Sequence, residues 1–199
     1  MNEVIIYALH TSLIKDKRLF VMSFIDEKRR EKAEKFINEK DQLLSLGAGY
    51  LLRRYLPKGE VKITDSGKPY LEDGPFFNIS HSDEYVVLAV HPSRDVGVDI
   101  ERINEKRLDG IQYVLLEEEK NVIDINDLFR IWSNKESIIK CLSTGLKDIK
   151  KVKGLPLEGE GQDYYTKSMI YDGYSLSVTL KGNEPFDIKI NRVTALEEQ

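Results

Sequence analysis

One short acidic stretch, residues 96–101 with the sequence VGVDIE, limits what this chain can fold into more than any other feature. Apolar residues alternate there with glycine and acidic residues, which predicts a strand with one apolar and one acidic face. Asp99 and Glu101 are two positions apart, so both carboxylates leave the same face of that strand. The common alternative is a strand whose acidic face is merely solvated, but the regular alternation favours a more specific role.

A second segment, residues 132–140, predicts a helix whose polar face meets that strand. Trp132, Glu136 and Lys140 follow one another at intervals of four and so share one face of the helix. If the helix crosses the strand, three carboxylates and one ammonium group converge, and carboxylates crowd together in this way around a cation. Oxygen ligands of this kind suit Mg²⁺ and also accept Mn²⁺. The sequence therefore predicts a divalent-metal site that handles a phosphorylated substrate.

The composition narrows the classes of protein and of site. The chain has 199 residues and a formal net charge of −4, which disfavours general nucleic-acid binding. Its single cysteine, Cys141, excludes a disulfide within the chain and a cysteine-based zinc site, and we expect it to be buried. With only three histidines, a histidine-rich metal site is also disfavoured. No segment approaches the ~20 apolar residues of a membrane span, so we predict a cytoplasmic protein without membrane or nucleic-acid partners.

Hydrophobic periodicity and turn residues predict a mixture of helices and strands. Strands are predicted at residues 4–9, 61–63, 76–79, 85–90, 164–170, 174–180 and 186–190, and helices at 19–25, 27–38 and 41–55. Asp26 and Asp127 are predicted N-caps, and the helix that Asp127 caps is predicted to end at Gly145. Asp172 and Gly173 predict a tight hairpin turn. We place a boundary between two lobes near residues 92–96.

Three polar clusters accompany the acidic strand, and each has an ordinary explanation when taken alone. Gly67, Lys68 and Pro69 form a turn that lets the backbone approach a ligand and offers a charge, although most such turns are only exposed loops. Residues 77–82, FNISHS, place two hydroxyls and an imidazole at the end of a strand, where they either bind phosphate oxygens or close a turn. The helix predicted at 27–38 carries a basic cluster that either faces solvent or binds an anion.

Taken together and in this order, these segments resemble 4'-phosphopantetheinyl transferases of the larger, Sfp-type class. The similarity rests on GKP at residues 67–69, FNISHS at 77–82, VGVDIE at 96–101 and WSNKES at 132–137. It extends over most of residues 24–146. The chain departs from the family pattern at Leu44, where many members have a basic residue, and at Ser143, where a glycine is expected. The stretch 102–127, where the carrier-binding surface of the family is expected, is shorter than usual.

The resemblance implies both a fold and a reaction. The fold is α+β, with two similar α+β lobes in one chain (a pseudo-dimer) and the active site at their interface. Residues 1–95 would form an N-terminal lobe that contacts coenzyme A, and residues 96–199 a C-terminal lobe with the metal ligands and the catalytic helix. The reaction is the Mg²⁺-dependent transfer of the 4'-phosphopantetheine arm of coenzyme A to a serine of an apo acyl or peptidyl carrier protein, with release of 3',5'-adenosine bisphosphate. A pseudo-dimer of this kind implies a monomer.

The resemblance also implies roles for individual residues. Asp99, Glu101 and Glu136 would bind Mg²⁺ (or Mn²⁺), and Glu136 is also the nearest candidate for a general base. Lys140 would neutralise the transferring or the leaving phosphate. Contacts to the adenine of coenzyme A are implied for Gly67, Lys68 and Pro69, and contacts to its phosphates for Arg29, Lys32, Ser45, Ser80 and His81.

Two other functions fit the same residues. A Mg²⁺-dependent phosphohydrolase acting on a nucleotide would use the same carboxylates but would release phosphopantetheine to water instead of to a protein. A degenerate homologue would bind coenzyme A or a carrier protein without turnover. Such a binding protein has no need of the three carboxylates and Lys140 together, which favours an enzyme.

Overall fold

Two four-stranded sheets form the centre of the computed structural model, which describes residues 2–197. The first sheet contains β1 (Glu3–His10), β4 (Phe76–Ser82), β5 (Tyr85–His91) and β10 (Asp187–Arg192), in the order β10-β1-β5-β4. β10 is parallel to β1, and the other pairs are antiparallel. The second sheet contains β6 (Val96–Arg102), β7 (Glu158–Glu160), β8 (Tyr164–Tyr171) and β9 (Tyr174–Lys181), in the antiparallel order β6-β9-β8-β7. A small hairpin of β2 (Lys62–Ile63) and β3 (Pro69–Tyr70) precedes β4.

Each sheet carries one long helix. α4 (Glu39–Tyr55) packs on the first sheet, where its apolar side chains share a core with Leu9 of β1 and with Val86 and Leu88 of β5. α6 (Ile125–Leu142) packs on the second sheet, against β6 and β9. The shorter helices are α1 (Ser12–Asp16), α2 (Arg18–Phe24), α3 (Glu27–Glu34) and α5 (Leu108–Gln112), and 3₁₀ helices occupy Glu105–Arg107, Glu117–Glu119 and Leu146–Lys151. Among the helices within residues 2–197, none has the length and apolar character needed to cross a membrane.

The two sheets pack face to face around a second apolar core. β1 and β5 contribute Val4, Ile6, Ala8, Val87 and Ala89, and β6 and β9 contribute Val96, Val98, Ile100, Leu176, Val178 and Leu180. β5 is buried on both faces, as its continuous apolar sequence predicts, because one face meets α4 and the other meets the second sheet. The predicted two-lobed α+β fold is confirmed, with one sheet and one long helix in each lobe.

The end of the chain returns to the first lobe. β10 pairs with β1 from Glu3 to Ala8, and Val193 and Leu196 join the core beneath α4. The division into residues 1–95 and 96–199 stays a prediction, and its outermost residues 1, 198 and 199 lie outside the described part of the chain. β10 belongs to the sheet of the first lobe although it follows residue 96.

Polar side chains cap the N-termini of α3 and α4. The predicted cap Asp26 is confirmed, since its Oδ1 accepts a hydrogen bond from the backbone N–H of Arg29 (2.9 Å) at the start of α3. The predicted start of α4 at Asp41 is wrong. Asn38 caps that helix instead, because its Oδ1 accepts from the backbone N–H of Lys40 (2.9 Å).

The bounds of α6 also differ from the predicted ones. Asp124 is the N-cap, because its Oδ1 accepts a hydrogen bond from the backbone N–H of Asp127 (3.1 Å). The predicted cap at Asp127 is therefore wrong, because Asp127 lies inside the first turn of the helix. The predicted end at Gly145 is also wrong, since α6 ends at Leu142 and Ser143 takes the left-handed conformation with φ of 58°.

The end of β4 differs from its predicted position, whereas the turn between β8 and β9 does not. β4 continues through Ser82, whereas a strand end at Ile79 was expected, so the FNISHS motif lies inside the strand. The hairpin between β8 and β9 is confirmed. Its two central residues, Asp172 and Gly173, have φ of 50° and 77°, as a tight two-residue turn requires.

β6 approaches α6 very closely at Gly97. A Cβ atom built on Gly97 would overlap the carbonyl oxygen of Ser137 and lie 2.5 Å from the backbone nitrogen of Cys141. Both atoms belong to the helix backbone, so a change of side-chain rotamer cannot relieve the overlap. The glycine thus sets the distance between the acidic face of β6 and the helix that carries Glu136 and Lys140.

We predict that Gly97→Ala lowers the free energy of unfolding by about 2–4 kcal/mol, because the new methyl group must push α6 away from β6. Urea unfolding followed by circular dichroism measures the change. Gly110→Ala is the matched control, since nothing lies within 4 Å of a Cβ at Gly110 and alanine favours helix α5 by about 0.5–1 kcal/mol. Equal stability of Gly97→Ala and the unchanged protein would contradict the close packing of β6 on α6.

Candidate active site

Side chains of β4 join the edges of the two sheets. β4 and β6 are edge strands of different sheets and lie side by side. Alternate side chains of β4 accept hydrogen bonds from backbone N–H groups of β6: Asn78 Oδ1 from Val98 (3.0 Å), Ser80 Oγ from Ile100 (3.4 Å) and Ser82 Oγ from Arg102 (3.1 Å). A buried N–H group without a partner costs free energy, so these side chains satisfy donors that a neighbouring strand would otherwise pair.

The two hydroxyls of this joint also hold the carboxylates of the acidic strand. Ser80 Oγ donates to Asp99 Oδ1 (2.9 Å), and Ser82 Oγ donates to Glu101 Oε2 (2.8 Å). Asp99 is only 3% exposed, and its Oδ2 is buried without a hydrogen-bond partner. Burying a carboxylate oxygen unpaired is costly, so this atom marks a position that a cation or a hydrogen-bond donor would satisfy.

Each carboxylate of the strand is paired with a basic side chain. Lys140 Nζ lies 2.6 Å from Asp99 Oδ1 and 3.1 Å from Ser80 Oγ. Arg107, which follows β6 in the 3₁₀ helix Glu105–Arg107, forms an ion pair with Oε2 of Glu101. The spacing of residues 132–140 predicts Lys140 at this position, whereas no sequence motif predicts a role for Arg107.

Glu136 completes the acidic cluster from the helix side. Burial, together with the charges of Asp99 and Glu101, raises the pKa of its carboxyl to about 7 against the opposing charge of Lys140. Burial likewise raises the pKa of Asp99, against the pull of Lys140. The structure therefore brings the three predicted carboxylates and Lys140 into one electrostatically coupled group at the lobe interface.

The donor set of this group fits a divalent cation, although it is not preassembled as a metal cage. Across residues 2–197, no group of three or more histidine, cysteine, aspartate or glutamate side chains is arranged to hold a metal ion. The carboxylates of β6 are instead engaged by Lys140 and Arg107. Burial and the neighbouring carboxylates raise the pKa of Glu136, and Oδ2 of Asp99 is buried without a partner, so a hard cation with oxygen ligands would offset the cost of this buried negative charge.

A groove of about 450 Å³ lies beside the cluster. Its lining comes from both lobes: Gly67, Lys68 and Pro69 from the β2–β3 turn, Asn78 and Ile79 from β4, and Glu136, Ile139 and Lys140 from α6. Gly67 has φ of 86°, a conformation in which glycine is free of strain. Two of the predicted polar clusters thus border the same space as Glu136 and Lys140.

Lys68 uses its ammonium group within the protein. The Nζ donates to Asp95 Oδ1 (2.9 Å) and to the backbone carbonyl of Cys141 (3.0 Å), and the side chain is only 11% exposed. The sequence predicts this charge at the tip of an exposed turn, facing a ligand. The structure instead makes Lys68 a link between the N-terminal lobe and the last turn of α6.

The remaining predicted ligand-binding residues fall into two places. His81 lies next to Ser80 on β4, where partial desolvation and the charge of Lys140 lower the pKa of its imidazole. Arg29 and Lys32 lie on α3 and line a separate cavity of about 590 Å³, and burial lowers the pKa of Arg29. Ser45 is buried in α4. Neither Arg29 nor Lys32 borders the groove beside Glu136.

A buried ion pair that the sequence pattern does not predict fixes the position of α6. Lys135 Nζ lies 2.8 Å from Glu119 Oε2, and both side chains are completely buried. Glu119 Oε1 also accepts a hydrogen bond from the backbone N–H of Gly154 (2.6 Å), and Lys135 donates to the carbonyl of Val152 (2.7 Å). Glu119 lies in a run of charged residues that predicts a solvated surface, so the local pattern carries no signal of its burial.

Comparisons with known proteins identify the family. A model described as "4'-phosphopantetheinyl transferase, N-terminal" matches residues 14–93, and one described as "4'-phosphopantetheinyl transferase superfamily" matches residues 95–186. The chain belongs to the 4'-phosphopantetheinyl transferase superfamily, and the resemblance stated above is confirmed.

Individual relatives agree with this assignment. The 4'-phosphopantetheinyl transferase gsp of Aneurinibacillus migulanus is 32% identical over 144 residues, which cover 64% of this chain and 60% of the relative. The 4'-phosphopantetheinyl transferase Sfp of Bacillus subtilis is 31% identical over 142 residues, or 63% of each chain. The L-aminoadipate-semialdehyde dehydrogenase-phosphopantetheinyl transferase of Mus musculus is 27% identical over 189 residues, 78% of this chain and 61% of the relative. The matches thus span only about three-fifths of the length of these relatives.

The substitution Glu136→Gln tests the crowding of carboxylates through the pH dependence of stability. The folded pKa of Glu136 is about 7 against an ordinary value of 4.5, so its ionisation costs stability progressively from about pH 4.5 to pH 7 and fully above that. In EDTA, we expect Glu136→Gln to raise the free energy of unfolding by about 1–3 kcal/mol at pH 8 and to leave it unchanged at pH 4.

Urea unfolding at a series of pH values measures this difference. Glu34→Gln, at an exposed position of α3, is the control and should show no gain that depends on pH. An equal effect of Glu136→Gln at pH 4 and pH 8 would show that its carboxyl is not held in this buried, acidic environment.

The substitution Lys68→Met tests the link between the lobes. Removal of the ammonium group leaves Asp95 and the carbonyl of Cys141 unpaired, so we expect the free energy of unfolding to fall by about 1–3 kcal/mol. Lys62→Met removes a lysine from an exposed pair with Glu72 and should leave stability close to that of the unchanged protein. Thermal and urea unfolding distinguish the two, and equal losses would show that Lys68 is not part of a specific link.

Proposed function

We propose that this chain transfers the 4'-phosphopantetheine arm of coenzyme A to a serine of an acyl or peptidyl carrier protein, in a Mg²⁺-dependent reaction that releases 3',5'-adenosine bisphosphate. The observation that carries the proposal is the group of Asp99, Glu101, Glu136 and Lys140 at the lobe interface, beside a groove lined by both lobes. Membership of the 4'-phosphopantetheinyl transferase superfamily, and the transferase names of the relatives, support the same reaction.

The proposed metal ligands are Asp99, Glu101 and Glu136. The unpaired Oδ2 of Asp99 supports this assignment, as do the burial and the neighbouring carboxylates that together raise the pKa of Glu136. Mg²⁺, or Mn²⁺ in its place, would supply positive charge to the pyrophosphate of coenzyme A. Ser80 and Ser82 keep the two carboxylates of β6 oriented through hydrogen bonds of 2.9 and 2.8 Å.

Proton transfer and charge neutralisation are assigned to α6. In the proposed step, the serine oxygen of the carrier attacks the phosphorus that bears pantetheine, and the bond from that phosphorus to the leaving 3',5'-adenosine bisphosphate breaks. Glu136, which lines the groove, accepts the serine proton. Lys140 neutralises the transferring or the leaving phosphate, because catalysis of phosphoryl transfer depends mainly on positioning and charge.

Coenzyme A is proposed to lie in the interlobe groove. Gly67, Lys68 and Pro69 would border its adenine, with Lys68 contributing its backbone because its ammonium group is engaged with Asp95. Contacts to the phosphates are proposed for the side chains of Ser80, His81, Ser45, Arg29 and Lys32. The last two lie on α3 outside the groove, so they would meet a part of the ligand that extends beyond it. A monomeric state and a cytoplasmic location stay predictions.

The mass of a carrier protein tests the proposal directly. An apo carrier is incubated with this protein, coenzyme A and Mg²⁺, and its intact mass is expected to rise by one phosphopantetheine unit, with no rise in EDTA. Asp99→Asn should slow the transfer by about 100-fold or more. The substitution replaces a proposed metal ligand by a neutral amide and removes the ion pair with Lys140. Asp16→Asn, at an exposed position of α1, is the matched control and should retain full activity.

The outcomes separate the competing functions. Free phosphopantetheine in the solution with an unmodified carrier would favour the phosphohydrolase. Binding of coenzyme A without any product, on fatty-acid, peptide-synthetase and polyketide carriers alike, would favour the non-catalytic homologue. Full activity of Asp99→Asn would overturn the assignment of the metal ligands.

A further inference from the structure

Arg107 is a basic residue beside the acidic cluster. Neither the family motifs nor the proposed reaction gives Arg107 a role. Its guanidinium forms an ion pair with Oε2 of Glu101, the same oxygen that accepts the hydrogen bond of Ser82. Glu101 is one of the proposed metal ligands. A divalent cation bound to Glu101 would therefore have to share that carboxylate with the guanidinium of Arg107.

The two basic residues of the cluster are held very differently. Lys140 projects from the long helix α6, has a 28% exposed side chain, and contacts both Asp99 and Ser80. Arg107 projects from a short 3₁₀ helix and has a 54% exposed side chain, and its partner Glu101 is 18% exposed. An ion pair this accessible to water is weak, so Arg107 can leave Glu101 far more easily than Lys140 can leave Asp99.

A cavity beside Arg107 can accommodate its side chain when it is not paired with Glu101. A cavity of about 340 Å³ adjoins its side chain and is lined by Glu101, Lys106, Gly110, Ile111, Phe129 and Trp132. The guanidinium can therefore turn away from Glu101 by a change of rotamer, without rearrangement of β6. Guanidinium groups also stack favourably on aromatic faces, and the ring of Trp132 borders this space.

The balance of charge gives a reason for such a movement. With Glu136 ionised, three carboxylates face the two cations Lys140 and Arg107. A divalent cation added to this set would leave an excess of positive charge at short range, whereas departure of Arg107 restores neutrality. We propose that Arg107 acts as an internal competitor for the metal, which occupies Glu101 in the metal-free protein and lowers the affinity of the site for divalent cations. This inference rests on the proposed metal site.

Mn²⁺ binding measures the competition without reference to activity. Free Mn²⁺ is followed by electron paramagnetic resonance during titration of the full chain at about 0.15 M salt, where distant surface charges are screened. Arg107→Gln is expected to bind Mn²⁺ about threefold to tenfold more tightly than the unchanged protein. Arg107→Lys keeps the charge within reach of Glu101 and should restore most of the weaker affinity.

Lys106→Gln is the matched control. It removes the same charge from the neighbouring position of the same 3₁₀ helix, and no ion pair to Glu101 is lost, so its affinity should stay within about twofold of the unchanged protein. Unchanged or weaker Mn²⁺ binding by Arg107→Gln overturns the inference, as does an equal gain in Lys106→Gln. Failure of every protein to bind Mn²⁺ overturns the metal site itself. Normal Mn²⁺ binding together with failure to modify any carrier leaves the competition standing and overturns the proposed transferase activity.

Discussion

The joint between β4 and β6 is the interaction on which the rest of the site depends. Two sheet edges meet there through the side chains of Asn78, Ser80 and Ser82, which accept hydrogen bonds from the backbone of β6. A regular backbone ladder would pair the N–H groups of β6 with backbone carbonyl groups and would not use these polar side chains. Because the joint uses hydroxyls, the same groups orient Asp99 and Glu101, and the acidic cluster forms only where the two lobes are joined.

The position of α6 over the second sheet is fixed largely by polar contacts. The hydroxyl of Ser133 lies 2.6 Å from those of Ser175 and Ser177, and the hydroxyl of Ser137 lies 2.7 Å from that of Thr179. Directional contacts of this kind fix the rotation of a helix about its axis more strictly than apolar packing does. Together with the buried pair of Lys135 and Glu119 and the close approach at Gly97, they hold the face that carries Glu136 and Lys140 against β6.

The cluster itself is a concentration of negative charge that folding alone does not favour. Burial raises the pKa of both Asp99 and Glu136, and one oxygen of Asp99 has no partner. Lys140, Arg107 and two serine hydroxyls offset part of that cost. Local features that disfavour the folded state and are retained nonetheless are characteristic of functional sites, and here they coincide with motifs of a family of phosphopantetheinyl transferases.

The sequence by itself determined the features that depend on local periodicity and local chemistry. These are the acidic face of β6, the shared face of Glu136 and Lys140, the burial of β5 on both sides, the cap at Asp26 and the turn at Asp172. Motif order was enough to indicate the family and its two-lobed fold. Helix ends were predicted less well, because Asn38 and Asp124 compete with nearby Asp41 and Asp127, and only the backbone conformation decides which one caps.

The tertiary structure alone decided how residues far apart in the sequence pair with one another. Lys68 meets Asp95 and the end of α6, Glu119 is buried against Lys135, and β10 returns to pair with β1. Arg107 is nearer to Glu101 in the chain, yet its pairing depends on the path of the 3₁₀ helix after β6. Charged residues of this kind have the same local pattern whether they face solvent or a partner. Their role is therefore set by the packing of the elements that carry them.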